Sequence, residues 1–265
     1  MKKEPTPQKL DPSSSAITAI SWTGGKDCNL ALLHAYRDLT LDVRYLVVFR
    51  LSEKAFQAHP IPLMKAQAQS LGLELLFVDF PDGTTDYMKA YVDGIQRLTN
   101  EYDIQVISTG DMDLVGTMER NWMERCCEAA GIRVHLPLWQ MDREEVLNSM
   151  LDEDFQIIFT CVKSPFFDRS WINRRLDRVA INQMRDIIER GLAQGQIDEG
   201  IKPLDLCGER GEYHTMCIDG PLYKEKVILD INIEPEEIIT ESSWKGNIHN
   251  AKCLWVISLK KKTDN

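Results

Sequence analysis

The sequence predicts an α/β protein, a doubly wound and mostly parallel sheet followed by a smaller, β-rich α+β part at the C-terminal end. Three observations predict it. Apolar strand-like runs alternate with helical spacing from residue 16 to residue 131, and that order implies parallel strands covered on both faces. The texture changes near Pro137 and becomes rich in strand-like runs from Leu204 onward. A chain of 265 residues holds one large domain or two unequal ones, and buries a core without a metal or disulfide staple.

The elements follow in order. Pro5, Pro7, Pro12 and Ser13–Ser15 mark residues 1–15 as a solvated lead-in. Ala16–Trp22 reads as a strand, and Asp27–Arg37 as a helix through Leu30, Leu33 and Tyr36. Val43–Arg50 is a buried strand, and Pro62 suits the first turn of a helix ending near Leu71. Glu74–Phe80 is a strand, Thr85–Thr99 a helix and Ile104–Ser108 a strand, after which Met118–Ala130 is a helix closed by Gly131. Beyond Pro137 come a short helix at Asp142–Leu151, a strand at Phe155–Val162 and an amphipathic helix at Leu176–Arg190. Tyr213–Ile218, Lys226–Ile233 and Ala251–Lys260 read as strands, and Lys260–Lys262 as the start of a frayed tail. The expected organisation is a lead-in over 1–15, a first domain over 16–136, a second over 137–260 and a tail over 261–265.

Charge and cysteine usage bound the class. The formal charge is −10, from 31 Lys+Arg against 41 Asp+Glu, so a general DNA or RNA binder is disfavoured. The 7 cysteines are odd in number and form no C-x-x-C pair, a reducing-compartment pattern. No apolar run reaches about 18 residues and the first residues carry no signal-like apolar region. A cytoplasmic chain with no membrane or DNA partner is expected.

The most informative segment is Ser21-Trp22-Thr23-Gly24-Gly25-Lys26-Asp27-Cys28, between the first strand and the first helix. Two glycines let backbone approach a ligand closely, and the free N–H groups at a helix start attract an anion. Lys26 adds a positive charge, Thr23 a hydroxyl, and Asp27 a carboxylate able to cap the helix or help hold Mg²⁺. A Walker A loop is excluded, because Ile20 stands at the first glycine's place and Asp27 follows the lysine. The alternative is a plain Gly-Gly turn. Cys28 reads as a small packing residue more readily than as a nucleophile.

A second polar cluster runs Cys207-Gly208-Glu209-Arg210-Gly211-Glu212-Tyr213-His214-Thr215, followed by Asp219-Gly220-Pro221-Leu222-Tyr223. By composition it is equally a polar binding loop or a glycine-bearing turn before a hairpin.

The first loop resembles the S-G-G-x-D-S signature of the PP-loop ATP pyrophosphatases, with Thr23 and Cys28 at the two serine places. The second cluster, G-E-x-G-E-Y-[EH]-T followed by D-G-P-L-[FY], resembles the signature of the diphthine–ammonia ligase family within that group. The similarity runs from about Ile17 to about Val227 and includes Ser108-Thr109-Gly110-Asp111 and Pro137-Leu138-Trp139. It implies an adenine-nucleotide-α-hydrolase-like fold for the first domain, an acyl-substrate role for the second, and ATP as substrate with Mg²⁺. The implied reaction is AMP-forming amide synthesis: a carboxylate attacks the α-phosphate, pyrophosphate leaves, and ammonia displaces AMP. In the named reaction the acyl group is diphthine, on elongation factor 2. ATP would meet Ser21, Thr23, Gly24, Gly25, Lys26, Asp27, Cys28, Gly110 and Asp111, with Asp27 toward Mg²⁺. Glu209, Gly211, Glu212, Tyr213, His214 and Thr215 would face the acyl acceptor and ammonia, and Lys26, Asp27, Glu212 and His214 would be catalytic.

Alternatives stay open: the same chemistry on a small-molecule carboxylate, a tRNA-modifying enzyme, or a nucleotide-binding module without turnover. The missing C-x-x-C pair and basic surface count against tRNA modification. Lys163, Arg169, Arg174, Arg175 and Arg178 form a basic concentration that reads as a solvated helix face. Cys126 and Cys127, and Trp122, Trp139 and Trp171, read as packing residues. Exposed apolar strands near the C-terminal end make a homodimer plausible.

Overall fold

A computed structural model describes residues 15–51, 58–114, 116–193, 202–228, 231–238 and 254–261, with the backbone alone for 192–193, 231–238 and 254–261. Most of the expected lead-in, the expected strand start at 251–253 and the tail beyond 261 lie outside these residues.

The first part is a five-stranded, wholly parallel sheet in the order β3-β2-β1-β4-β5. Its strands are β1 (Ala16–Ser21), β2 (Leu41–Leu51), β3 (Glu74–Phe80), β4 (Val106–Ser108) and β5 (Arg133–His135). The helices α1 (Lys26–Arg37), α2 (Ile61–Leu71), α3 (Tyr87–Tyr102) and α4 (Trp122–Ala130) connect them. The period of two along β1 sends Ile20 into one core with Leu30 and Met64, and Ala19 into another with Ile95 and Cys127. Both faces are therefore covered, as a parallel sheet requires.

Caps fix the helix ends. Asp86 and Asn121 accept from Lys89 N and Glu124 N at the starts of α3 and α4, and Gly131 closes α4 in the left-handed region at φ 80°. The Asn121 cap starts α4 later than the expected Met118. β5 was not expected at all.

The second part holds α5 (Arg143–Asp152), β6 (Gln156–Lys163), a 3₁₀ turn at Arg169–Trp171, α6 (Arg178–Ala193), β7 (Tyr213–Asp219), β8 (Ile231–Ile238) and β9 (Leu254–Lys261). Asp142 caps α5 by accepting from Glu144 N and Glu145 N. The four strands form an antiparallel sheet in the order β7-β6-β9-β8. Two expectations are corrected. Residues 226–228 are not strand, because Val227 N turns back to Ile218 O at 2.8 Å, and β8 begins at Ile231. Lys260 and Lys261 belong to β9 rather than to a frayed tail, paired with Asn232 and Ile231.

The order of the parallel sheet reverses between β1 and β4. Chains leaving these two strands part in opposite directions, and the crevice at their carboxyl ends is where open α/β sheets take ligands. The antiparallel sheet closes on this crevice, with Cys217 N on β7 donating to Gly24 O at 2.9 Å.

Candidate active site

The turn from β1 into α1 builds the first wall. Gly24 has φ 77°, a conformation glycine adopts without a Cβ penalty. Its carbonyl is turned inward and accepts from Gln67 Nε2 at 2.9 Å, Cys217 N at 2.9 Å and Asn29 Nδ2 at 3.2 Å. Gly25 caps α1 without a side chain, and its carbonyl accepts from Asn29 Nδ2 at 2.8 Å. Lys26 N donates to Thr215 Oγ1 at 3.2 Å, and no other side chain caps the turn among the described residues. The positive end of α1 is thus left toward an anion.

Lys26 is buried, and its Nζ donates to both carboxylate oxygens of Asp27 at 2.8 Å. The ammonium also lies 5.5 Å from the centroid of the Tyr213 ring. Burial opposes its charge, but Asp27 first and then Tyr213, Cys207 and Glu209 hold its pKa well above the ordinary lysine value.

The second wall is the loop from Asp205 to Gly211 and the start of β7. Gly208 and Gly211 sit at φ 75° and 76° and fold it tightly, Gly211 N donating to Gly208 O at 2.8 Å. Glu212 is the strut of this loop: its buried carboxylate accepts from Asp205 N at 2.8 Å and Arg210 N at 3.0 Å. Burial nonetheless raises its pKa. Tyr213 donates its hydroxyl to Leu206 O at 2.7 Å. His214 meets His59, from the segment before α2, edge to face at 5.2 Å between ring centroids. Burial keeps both imidazoles neutral; that of His59 is lowered to about 4. Glu209 is pushed up to about 8 by burial first and then by Asp27 and other neighbours.

Between the walls lies a cavity of about 650 Å³, inside the usual range for small-molecule sites of roughly 300–1,000 Å³. Arg143, at the start of α5, spans its edge. It donates to Asp113 Oδ2 at 2.8 Å and Asp205 Oδ2 at 3.3 Å, tying the loop after β4 to the loop before β7.

Of the residues expected at the site, Thr23, Gly25, Lys26 and Asp27 line the cavity from one side, and Glu209, Gly211, Tyr213, His214 and Thr215 from the other. Others sit elsewhere. Ser21 ends β1, paired with Val47, and Gly24, within the loop, does not line the cavity. The Cys28 thiol donates to Gly25 O at 3.2 Å, and burial pushes it up to about 11. Asp111 spends its carboxylate on Thr109 Oγ1 and Asn121 Nδ2 at 2.9 and 2.8 Å, while Asp113 two residues on reaches the cavity. Gly110 packs against the backbone of Asp27 and Cys28. Glu212 holds loop backbone and does not line the cavity. Asn29, His59, Gln67 and Arg143 were not expected; Gln67 and Arg143 act on partners distant in the chain, and Asn29, though it holds the nearby Gly24 and Gly25 carbonyls, is itself set by the distant Tyr223.

The remaining groupings resolve as packing and surface pairs. Arg178 pairs with Asp152 at 2.9 Å, Arg175 with Gln156, and Arg174 lies over Trp171. Trp171 is in the core, and Trp122 packs edge to face on Tyr91. Cys126 and Cys127 are buried and free, as are the other described cysteines. Among the described residues no three His, Cys, Asp or Glu side chains converge as a metal site, and no helix is long and apolar enough to cross a membrane.

Fold and site together define a doubly wound α/β protein with a glycine-bearing strand-to-helix loop at its switch point, closed over by an antiparallel sheet. Sequence comparison matches residues 16–134 to the diphthamide synthase N-terminal domain and 142–252 to the diphthamide synthase C-terminal domain. The chain belongs to the diphthamide synthase family. Its similar curated relatives include proteins named diphthine–ammonia ligase. That of Schizosaccharomyces pombe is 30% identical over 55% of this chain and 21% of its own length. That of Bos taurus is 27% identical over 56% and 49%, and that of Mus musculus 22% identical over 66% and 60%. The chain therefore spans less than two thirds of these relatives. A solved structure described as a predicted subunit of tRNA methyltransferase from Methanocaldococcus jannaschii aligns over 80% of this chain and 100% of its own, at 14% identity and a TM-score of 0.41.

Proposed function

We propose that the chain is an ATP-dependent amide-forming ligase that adenylates a carboxylate and transfers ammonia, with diphthine on elongation factor 2 as the acyl substrate. The observation that carries this is the pairing of an α1 start whose N-cap, Gly25, offers no side chain, beside Lys26, with a polar loop across one cavity. Family membership and the names of the relatives support the acyl substrate.

In this reading the β- and γ-phosphates rest on the N–H edge of Gly25 and on Lys26, whose charge stabilises the departing pyrophosphate. The substrate carboxylate bonds to the α-phosphorus as the bond to the β-phosphate oxygen breaks. Ammonia then bonds to the acyl carbon, AMP leaves, and the amide nitrogen sheds its extra proton. His214 and His59, neutral at physiological pH, offer hydrogen bonds without adding charge beside Lys26. The residues fit Mg²⁺ in its usual manner, one carboxylate with phosphate and water oxygens supplying the rest: Asp27 borders the cavity and is partly exposed. Bound there, the ion would neutralise phosphate charge.

The test is ATP turnover with ammonium and Mg²⁺, with and without diphthine-bearing elongation factor 2, resolving AMP from ADP. AMP and pyrophosphate formed only with the factor, and lost in Lys26→Ala, support the proposal. ADP as product rejects the chemistry; ATP binding without factor-dependent AMP rejects the acceptor.

A further inference from the structure

The Asp219–Tyr223 segment follows the acceptor-side cluster in sequence, yet none of its residues lines the cavity. Its tyrosine reaches the phosphate loop from behind. The Tyr223 hydroxyl donates to Asn29 Oδ1 at 2.7 Å, which orients the Asn29 amide so that Nδ2 donates to Gly25 O at 2.8 Å and Gly24 O at 3.2 Å. The turn itself is stitched to the end of α2, Lys224 N donating to Ser70 O at 3.1 Å.

Gln67 on α2 works on the same carbonyl from the other side. Its Nε2 donates to Gly24 O at 2.9 Å and to Cys217 O at 2.6 Å. The side chain is fully buried, and its Oε1 has no hydrogen-bond partner among the described residues. A buried acceptor left unmade is destabilising, a cost that the two hydrogen bonds from Nε2 to the Gly24 and Cys217 carbonyls offset.

The carbonyls these amides hold are the groups that would repel a phosphate. Turned inward and satisfied, they leave the loop's N–H edge to the cavity. We infer that Asn29, Gln67 and Tyr223 are positioning residues for the nucleotide phosphates, and that the 219–223 turn serves the nucleotide rather than the acyl acceptor. The inference rests on the reading that ATP phosphates occupy the Gly24–Lys26 loop.

The experiment is equilibrium titration of the full chain with Mg·ATP for wild type, Tyr223→Phe, Asn29→Ala and the double variant, each checked for a single cooperative unfolding transition. Loss of the hydroxyl removes one hydrogen bond, so the Kd of Tyr223→Phe rises about 3- to 10-fold. Asn29→Ala weakens binding further, and the double variant binds no worse than Asn29→Ala, because Tyr223 acts through Asn29. Should Asn29→Ala not fold, Asn29→Asp replaces it, keeping the acceptor for Tyr223 while losing the Nδ2 donor. An unchanged Kd in Tyr223→Phe, or independent, multiplicative losses in the double variant, overturns the inference. A wild-type chain that binds no Mg·ATP rejects the phosphate-loop reading itself, before any variant is compared.

Discussion

Gly110 lies against the backbone of Asp27: a Cβ built on it would stand 2.6 Å from Asp27 O and 2.7 Å from Cys28 N. The loop after β4 and the first turn of α1 are thus in contact through a position with no side chain. Gly110 holds the first turn of α1 by this contact and does not itself line the cavity.

Gly110→Ala forces the two backbones apart. Overpacking of this kind costs about 1–3 kcal/mol, and displacing the start of α1 weakens Mg·ATP binding by about tenfold or more. Urea unfolding and equilibrium titration measure the two effects. An alanine variant with native affinity would show that the loop does not depend on this contact.

The strand–helix order was legible because apolar runs and helical spacing alternate locally, and the Gly24–Lys26 loop because a strand, two glycines and a helix start are contiguous. β5 was not legible: Arg133–His135 has one apolar residue and becomes a strand only by pairing with β4. Glu212 shows the limit at the site. A carboxylate in a glycine-rich loop reads the same whether it faces a ligand or folds back, and the backbone geometry at Gly208 and Gly211 decides it. Asn29 and Gln67 were illegible for another reason: Tyr223 lies 194 residues from Asn29, and Cys217 150 residues from Gln67.

Glu212 supports the loop, so Glu212→Ala strands two backbone donors, at about 1–3 kcal/mol each. Glu209→Gln, at a carboxylate that lines the cavity, removes a charge that burial disfavours and does not destabilise the fold. Thermal unfolding of the two variants separates these roles. Equal destabilisation by both would reject the assignment of Glu212 as the strut.

His59 gives stability a defined pH dependence. Its folded pKa, about 4 by burial, lies below the ordinary imidazole value of 6.5, so the unfolded chain binds more protons between those values. The contribution is fully present above about pH 6.5 and is lost as pH falls toward 4, amounting to roughly 3 kcal/mol. Glu209, raised to about 8, acts in the opposite direction, stabilising as pH falls. The comparison of wild type with His59→Gln removes that shared contribution. The stability difference between the two proteins is expected to shift by roughly 3 kcal/mol against wild type from pH 7 to 4; a constant difference across that range refutes the prediction.

Cys28 occupies a place where a nucleophile would be conspicuous, and the geometry argues against one. The thiol is buried, donates to Gly25 O at 3.2 Å and is pushed up to about 11, chiefly by burial. A thiolate is the reactive form, and at pH 7.5 almost none is present. Native protein treated with iodoacetamide at that pH is expected to leave Cys28 unmodified by peptide mass analysis. Cys28→Ser keeps a small donor toward the same carbonyl, so its Mg·ATP affinity stays within about threefold of wild type, a change below one ordinary hydrogen bond. Rapid alkylation of Cys28 together with loss of turnover in the serine variant would restore the nucleophile and, with it, thiol chemistry as the use of this site.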